Sequence, residues 1–379
     1  MTYLERSVDQ KKIIWFAEKN HYMLVEMPAF HVISQLSEGI ALKKIAAWCS
    51  KFYKIPKSEA NRFVGEVEQL LLQQPERIVK SIGTNDPWDS RSILPDLALK
   101  KHYLLPGCTF TVEYDTPQTE FLVHPKFAHL ESVTSQQGDH LFQVFQQNEM
   151  FVLRVNGKTI GQWPEEESNY FTGKFTMELI NLIYNRNEHD WMGVFHASAI
   201  RLGNQCALFL GDSGNGKSTL AALLMASGFN LVADDFVPVD AISGEVFCLP
   251  AAVSIKKNAI GSLVDAYPQL ATAEEYYYSE MDKTVRYLPP DQNVENHLVS
   301  YPCKALVFVK YLPESGLVME KMSQVIAFQN LIPDSWVSDR SENVNRFLDW
   351  FLQIPCYRLT YSDNGAMVRT IENLFKDEG

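Results

Sequence analysis

No C-x-x-C pair occurs in the 379 residues, and the six cysteines, Cys49, Cys108, Cys206, Cys248, Cys303 and Cys356, stand singly with no histidine at metal-site spacing. That excludes a zinc ribbon or finger and leaves buried free thiols in a reducing compartment. No run approaches the roughly 18 apolar residues of a membrane helix. The charged start MTYLERSVDQKK leads into no apolar signal core, so cytoplasm is the expected location. Basic charge is short too: 34 Lys and Arg against 46 Asp and Glu give −12, the wrong sign for a dedicated nucleic-acid binder. Internal repeats and low-complexity tracts are absent. What remains, 46% hydrophobic with 21% charged, is enough apolar material for real cores, and the length suggests two or three domains.

The charge is unevenly spread. Residues 1–80 hold 12 basic and 9 acidic side chains, whereas the rest holds 22 and 37. A separate first module, weakly suited to an acidic partner, is the reading of that change of sign.

The most informative stretch is FLGDSGNGKST, Phe209 to Thr219. It opens like the nucleophile loop of a serine protease, yet its flanks demand something else. Cys206–Leu210 is a short apolar run suited to a buried strand, and Ser218–Ser227 are strong helix formers closed by Gly228. Strand, glycine loop and helix are the setting of G-x-x-x-x-G-K-[ST], filled here by Gly211, Gly216, Lys217 and Ser218. In such a loop the backbone amides of Asp212, Ser213, Gly214, Asn215, Gly216 and Thr219 point inward at phosphate oxygens, aided by the helix N-terminus. Lys217 reaches the β and γ phosphates and the Ser218 hydroxyl meets magnesium. Downstream, Phe229–Ala233 reads as a strand ending in Asp234-Asp235, where a carboxylate can hold the same metal. No N-K-x-D guanine motif and no L-S-G-G-Q motif follows.

Around this core the pattern predicts an N-terminal hairpin of Ile13–Phe16 and Tyr22–Val25. Two amphipathic helices follow, one over Leu42–Tyr53 with Leu42, Ile45, Ala46, Cys49 and Phe52 on one face. The other starts after Pro56, capped by Ser58, with Phe63, Val64, Val67, Leu70 and Leu71 on one side. Asn85–Ser92 is a linker by composition. Strands are expected at TFTVEY, EFLVH and FVLRVNGKTIGQW, the last turning at Asn156-Gly157, then a helix presenting Phe171, Phe175, Leu179 and Leu182. The tail alternates: strand Ala305–Val309, helix Asn343–Leu352, strand Tyr357–Tyr361, helix Ala366–Phe375.

Two stretches carry family resemblances. HYMLVEMPAFHVISQL, SEGIALKKIAAWCSKF and the helix after them, about Lys11 to Gln74, resemble PqqD-like peptide-binding domains. That resemblance implies a small winged-helix-like fold that adds a peptide as an extra strand at its sheet edge. VFHASAIRLGNQCALFLGDSGNGKST followed by GFNLVADD resembles the HPr kinase/phosphorylase family and its related kinases, relatives of phosphoenolpyruvate carboxykinase. In that pattern a histidine, here His196, lies on a strand paired with the loop's own strand, 15 residues before Gly211.

The resemblance implies an α/β, PEP carboxykinase-like P-loop kinase domain over 93–379, with a β-rich front (93–190) and a catalytic core (191–379), preceded by the PqqD-like module (1–84). It implies ATP-dependent phosphorylation of a serine hydroxyl with magnesium, or equally manganese, as the metal. Lys217 and the loop amides would hold the phosphates, and Ser218 and Asp234 the metal. Asp235 would accept the hydroxyl proton, with His196 tuning that step. Lys257 in LPAAVSIKKNAI and Arg286 in KTVRYLPP are the candidate cations for clamping the γ phosphate or the acceptor, Lys256 being set aside. The bifunctional family signature is missing downstream, which leaves reverse phosphorylase activity and HPr itself without support. A peptide or protein bound by the first module, such as a ribosomally made precursor, is the expected partner, with neither nucleic acid nor membrane; the oligomeric state stays open. A small-molecule or carboxykinase-like kinase, and an ATP-switched binding module without catalysis, are the alternatives.

Overall fold

The run Ile13-Ile-Trp-Phe16 shows no alternation, and the computed structural model shows why. It describes residues 2–73, 94–105, 107–132, 138–278, 282–290 and 299–376. Strands β1 (Tyr3–Val8), β2 (Lys11–Phe16) and β3 (His21–Glu26) form an antiparallel sheet in that order. All four residues of the run are buried. Ile14 and Phe16 face helices α1 (Met27–Ser37), α2 (Leu42–Tyr53) and α3 (Lys57–Leu72), while Ile13 and Trp15 join the core of the main body. A strand buried on both faces has no polar side to alternate with.

Docking is continued by Tyr22, edge-on to Phe328 at 5.6 Å and Phe347 at 6.0 Å. It is completed by Arg6, whose Nε donates to Asp349 at 2.7 Å. Three local expectations are corrected. Strand β1 and helix α1 join the expected elements, Leu70 and Phe52 are exposed on their helices, and α3 begins at Lys57 after Pro56 with no side-chain cap from Ser58. The linker Asn85–Ser92 lies outside the described residues.

The middle of the chain is a five-stranded sheet, β4 (Leu99–Leu105), β5 (Cys108–Tyr114), β6 (His140–Gln147), β7 (Met150–Val155) and β8 (Lys158–Pro164), in sequential order. Asn156 and Gly157 turn β7 into β8 with positive φ at both positions, as a two-residue hairpin requires. The expected strand EFLVH is instead part of helix α4 (Pro117–Phe127). Thr116 caps it in a capping box with Thr119, and Pro117 occupies its first turn. Topology demands the helix: β5 and β6 are parallel, and parallel neighbours need a crossover. Helix α5 (Ser168–Ile183) buries Phe171, Phe175 and Leu179 against this sheet.

The rest is a mixed ten-stranded sheet. Its elements are β9 (Trp191–Phe195), β10 (Ser198–Leu202), β11 (Gln205–Leu210), α6 (Lys217–Ala226), β12 (Asn230–Asp234), β13 (Val237–Asp240) and β14 (Glu245–Phe247). A separate three-stranded sheet of β15 (Val253–Lys256), β16 (Tyr276–Tyr278) and β17 (Lys283–Leu288) intervenes, then β18 (Ser300–Tyr311), β19 (Val318–Lys321), α7 (Gln324–Leu331), β20 (Ser335–Val337), α8 (Ser341–Gln353), β21 (Cys356–Tyr361) and α9 (Asn364–Lys376). The large sheet runs β12-β10-β11-β18-β14-β13-β9-β20, with β21 also on β18 and β19 on β21. Long β18 joins two halves: its start pairs with β14, and its remainder lies parallel between β11 and β21. The architecture is mixed α/β. Five cysteines are buried and Cys303 is half-buried, all free. Among the described residues no helix is long and apolar enough to cross a membrane.

Candidate functional site

Register brings the sequence motifs together. Ser198, the first residue of β10, faces Phe209 of β11 on one side and Asp234 of β12 on the other. The ends of β11 and β12 and the start of β10 therefore lie level at one sheet edge. From that edge the chain leaves β11 through 211–216 and enters α6, which ends in a Schellman cap: Gly228 N donates to Met225 O and Phe229 N to Leu224 O.

The glycines in the loop are required by geometry. Gly211, Gly214 and Gly216 have φ of +139°, +97° and +92°. A Cβ on Gly211 would sit 2.7 Å from the Val309 carbonyl oxygen, and one on Gly216 3.2 Å from Tyr311 Cβ. Asn215 N donates to Asp212 O at 3.2 Å, and Tyr311 N donates to Asn215 O at 3.0 Å, tying the loop to β18. Lys217 is only 8% exposed, and its Nζ donates to Gly211 O at 2.6 Å and Asp212 O at 3.3 Å. The ammonium is thus folded back on the loop, and burial lowers its proton affinity. Thr219 follows in the first turn of α6.

Asp234 is 4% exposed. Ser218 Oγ donates to its Oδ2 at 3.1 Å, and Ser198 Oγ donates to Oδ1. Burial, then the neighbouring Asp235, raises its pKa. One hydroxyl and one buried carboxylate form a hard-oxygen donor set that fits magnesium or manganese. Among the described residues no three His, Cys, Asp or Glu side chains converge as a metal site. A metal here would therefore complete its shell with phosphate oxygens and water.

Asp235, one residue on, has different partners. Its φ is +70°, a left-handed backbone that a non-glycine residue adopts at some cost. Asp235 N donates to Ala197 O at 2.9 Å, joining the two places where the chain crosses between the sheet halves, from β9 to β10 and from β12 to β13. His196 sits in that first crossing, a two-residue bend between β9 and β10, and not on the strand paired with β11 as the sequence suggested. Its Nδ1 is 3.0 Å from Asp235 Oδ1. The other oxygen, Oδ2, accepts from Lys126 Nζ at 2.9 Å. Lys126 lies on helix α4, and no sequence motif points to it. Its charge, followed by the hydrogen bond from His196, holds the Asp235 carboxyl well below the usual carboxylate range. The hydrogen bond to Asp235 in turn raises His196, against burial.

Lys257 and Arg286 are placed elsewhere. Lys257 Nζ is 3.1 Å from Glu275 Oε2, and Arg286 donates to Glu275 Oε1 at 2.9 Å and to the Leu270 carbonyl. Strand parity explains it. Arg286 pairs with Ile255 and shares its face, whereas Lys256 pairs with Val285 and Lys283 with Tyr278, on the opposite face. That opposite face looks onto the site. Lys256 Nζ lies 3.3 Å from Ser213 Oγ, and Lys283 is within electrostatic reach of Asp235, Lys256, Lys126 and Asp234. The cation beside the loop is therefore Lys256, next in sequence to Lys257, and Lys283 shares its face, three residues before Arg286 and so of opposite parity on β17.

No family model matches the chain, and no curated protein matches it. Among solved structures it is similar to the Hpr(Ser) kinase/phosphatase from Coxiella burnetii, at 13% identity and a TM-score of 0.23, over 48% of this chain and 93% of that one. A likeness at that level bears on neither activity nor substrate.

Proposed function

We propose that the protein is an ATP-dependent kinase that transfers a phosphoryl group to a serine hydroxyl of a peptide or protein. The observation that carries this reading is the convergence of a G-x-x-x-x-G-K-S loop, a buried Asp234 on Ser218, and Asp235 held between His196 and Lys126 at one sheet edge. The loop amides and Lys217 would take the triphosphate, with Lys256 beside Ser213. Ser218 and Asp234 would hold magnesium, which supplies neutralising charge to the phosphates.

In the transfer, the serine oxygen forms its bond to the γ phosphorus while the bond from that phosphorus to the β–γ bridging oxygen breaks. ADP leaves with that electron pair, and the hydroxyl proton passes to the Asp235 carboxylate. The charge of Lys126 and the hydrogen bond from His196 make Asp235 a weak base in the resting site. That suits a loose transition state, in which the acceptor oxygen becomes acidic only late in bond formation. His196 and Lys126 position the carboxylate. The N-terminal sheet supports the peptide part of the reading. Its edges are β1, which runs beside α8, and β3, where an extended peptide would add as a fourth strand.

The test incubates full-length wild type, Lys217→Ala and Asp235→Asn with γ-labelled ATP, magnesium and an array of serine-containing peptides. Label on peptides, lost in both variants and on serine-to-alanine peptides, supports the proposal. Label only on small hydroxyl compounds would make it a small-molecule kinase. Binding of ATP without any transfer would leave a nucleotide-switched module.

A further inference from the structure

The three-stranded sheet β15-β17-β16 contributes more than a wall. Its inward face carries Lys256, Lys283, Tyr276, Tyr278 and Tyr287, set by the pairings Lys256 with Val285, Tyr276 with Val285, Tyr278 with Lys283 and Ser254 with Tyr287. The tyrosines fix that face against the body. Tyr278 and Tyr287 hydroxyls are 2.6 Å apart, and the Tyr278 ring lies 4.9 Å from Phe121 on the helix that carries Lys126. Lys283, half-buried, shares this face with Lys256 and pairs with Tyr278, so it stands on the side of the sheet that meets the helix of Lys126, within electrostatic reach of Asp234 and Asp235.

The four cations of this site are not equivalent. Lys126 is engaged by Asp235, Lys217 by loop carbonyls and Lys256 by Ser213. Among the described residues Lys283 makes no ion pair, although two carboxylates lie nearby. A half-buried ammonium that shares its surroundings with other lysines and makes no ion pair of its own is placed to receive an incoming anion.

We propose that Lys283 is the catalytic clamp on the phosphoryl group in flight, the role that Lys257 and Arg286 are turned away from filling. This rests on the kinase reading above and specifies it. Lys217 and Lys256 hold the nucleotide at the loop, while Lys283 approaches from the facing sheet. Its charge meets the equatorial oxygens of the γ phosphorus as the bond to the acceptor oxygen forms and the bond to ADP breaks. A cation placed there stabilises the transition state more than the bound nucleotide, which is what raises turnover.

The experiment needs no acceptor. Calorimetry on the full-length protein with magnesium compares the affinity for ADP alone with that for ADP plus aluminium fluoride, which mimics the transferring group. For Lys283→Met, ADP affinity stays within about twofold of wild type. Affinity for the fluoride complex falls about 10- to 100-fold, the range that a charge-assisted hydrogen bond carries. Lys283→Arg recovers part of the loss, and Lys257→Gln shows none. ADP affinity reports that each variant is folded, and Lys283→Gln replaces the methionine variant should β17 not tolerate it. Lys283→Met or Lys283→Gln with wild-type affinity for the fluoride complex overturns the clamp while leaving the kinase reading intact. A wild type that binds no nucleotide removes the kinase reading and the clamp with it.

Discussion

Replacing Gly211 with alanine tests how rigidly the loop is built. The native φ of +139° lies outside the range that residues with a Cβ adopt, a strain of about 1–3 kcal/mol. The new methyl would also stand 2.7 Å from the Val309 carbonyl oxygen. Val309 belongs to β18, which is paired with both β11 and β21, so the oxygen cannot retreat without disturbing two ladders. Forced overpacking of this kind costs about 1–3 kcal/mol more, giving roughly 2–6 kcal/mol in all. Gly157→Ala separates the two contributions. Its φ is +80°, but nothing lies within 4 Å of the added methyl, so only a backbone cost of about 1–2 kcal/mol applies. Urea unfolding of both variants, with calorimetric ADP binding, reads stability and function together. Gly157→Ala should bind ADP as wild type does, and Gly211→Ala should lose both stability and binding. Equal unfolding midpoints for the two variants would refute the steric argument, and intact ADP binding in Gly211→Ala would refute the loop's assignment.

Two further outcomes follow from the site and the docking surface. In an NMR titration His196 should titrate above its ordinary 6.5, and in Asp235→Asn it should move down, because the hydrogen bond to Asp235 is what raises it. The stability that this pair contributes through His196 is fully present below 6.5 and is lost as pH rises through the elevated value; a titration unchanged in Asp235→Asn would contradict this. Tyr22→Ala removes a ring packed edge-on to Phe328 and Phe347 and should cost about 3–5 kcal/mol. An early urea transition should then separate the first module from the body, and an unshifted unfolding curve would show that the ring is not what holds them together.

The candidate site was legible where its residues are close in sequence. Strand, loop, helix and the Asp234-Asp235 pair fall within about 30 residues, and local pattern suffices for such a unit. Lys126 was invisible because 109 residues separate it from Asp235 and because Phe121-Leu-Val123 reads as a strand. The capping signal at Thr116-Pro117 was present in the sequence and outweighs that run. Lys256 and Lys283 were missed for a different reason. Choosing among nearby cations on or beside a strand means knowing which face is inward, and only the pairing among β15, β16 and β17 settles that. Likewise the apolar run in β2 announced burial, but not that its second face meets another part of the chain.

That second face sets a length scale. Because β2 is shared between the helical core and the body, the open edge at β3 and the edge that carries Asp235 belong to one packed frame rather than to two beads on a string. An acceptor strapped to β3 would have to bridge a fixed span before its serine met Asp235. The frame would then act as a ruler, selecting serines by their distance along the chain from the bound segment as well as by the residues around them.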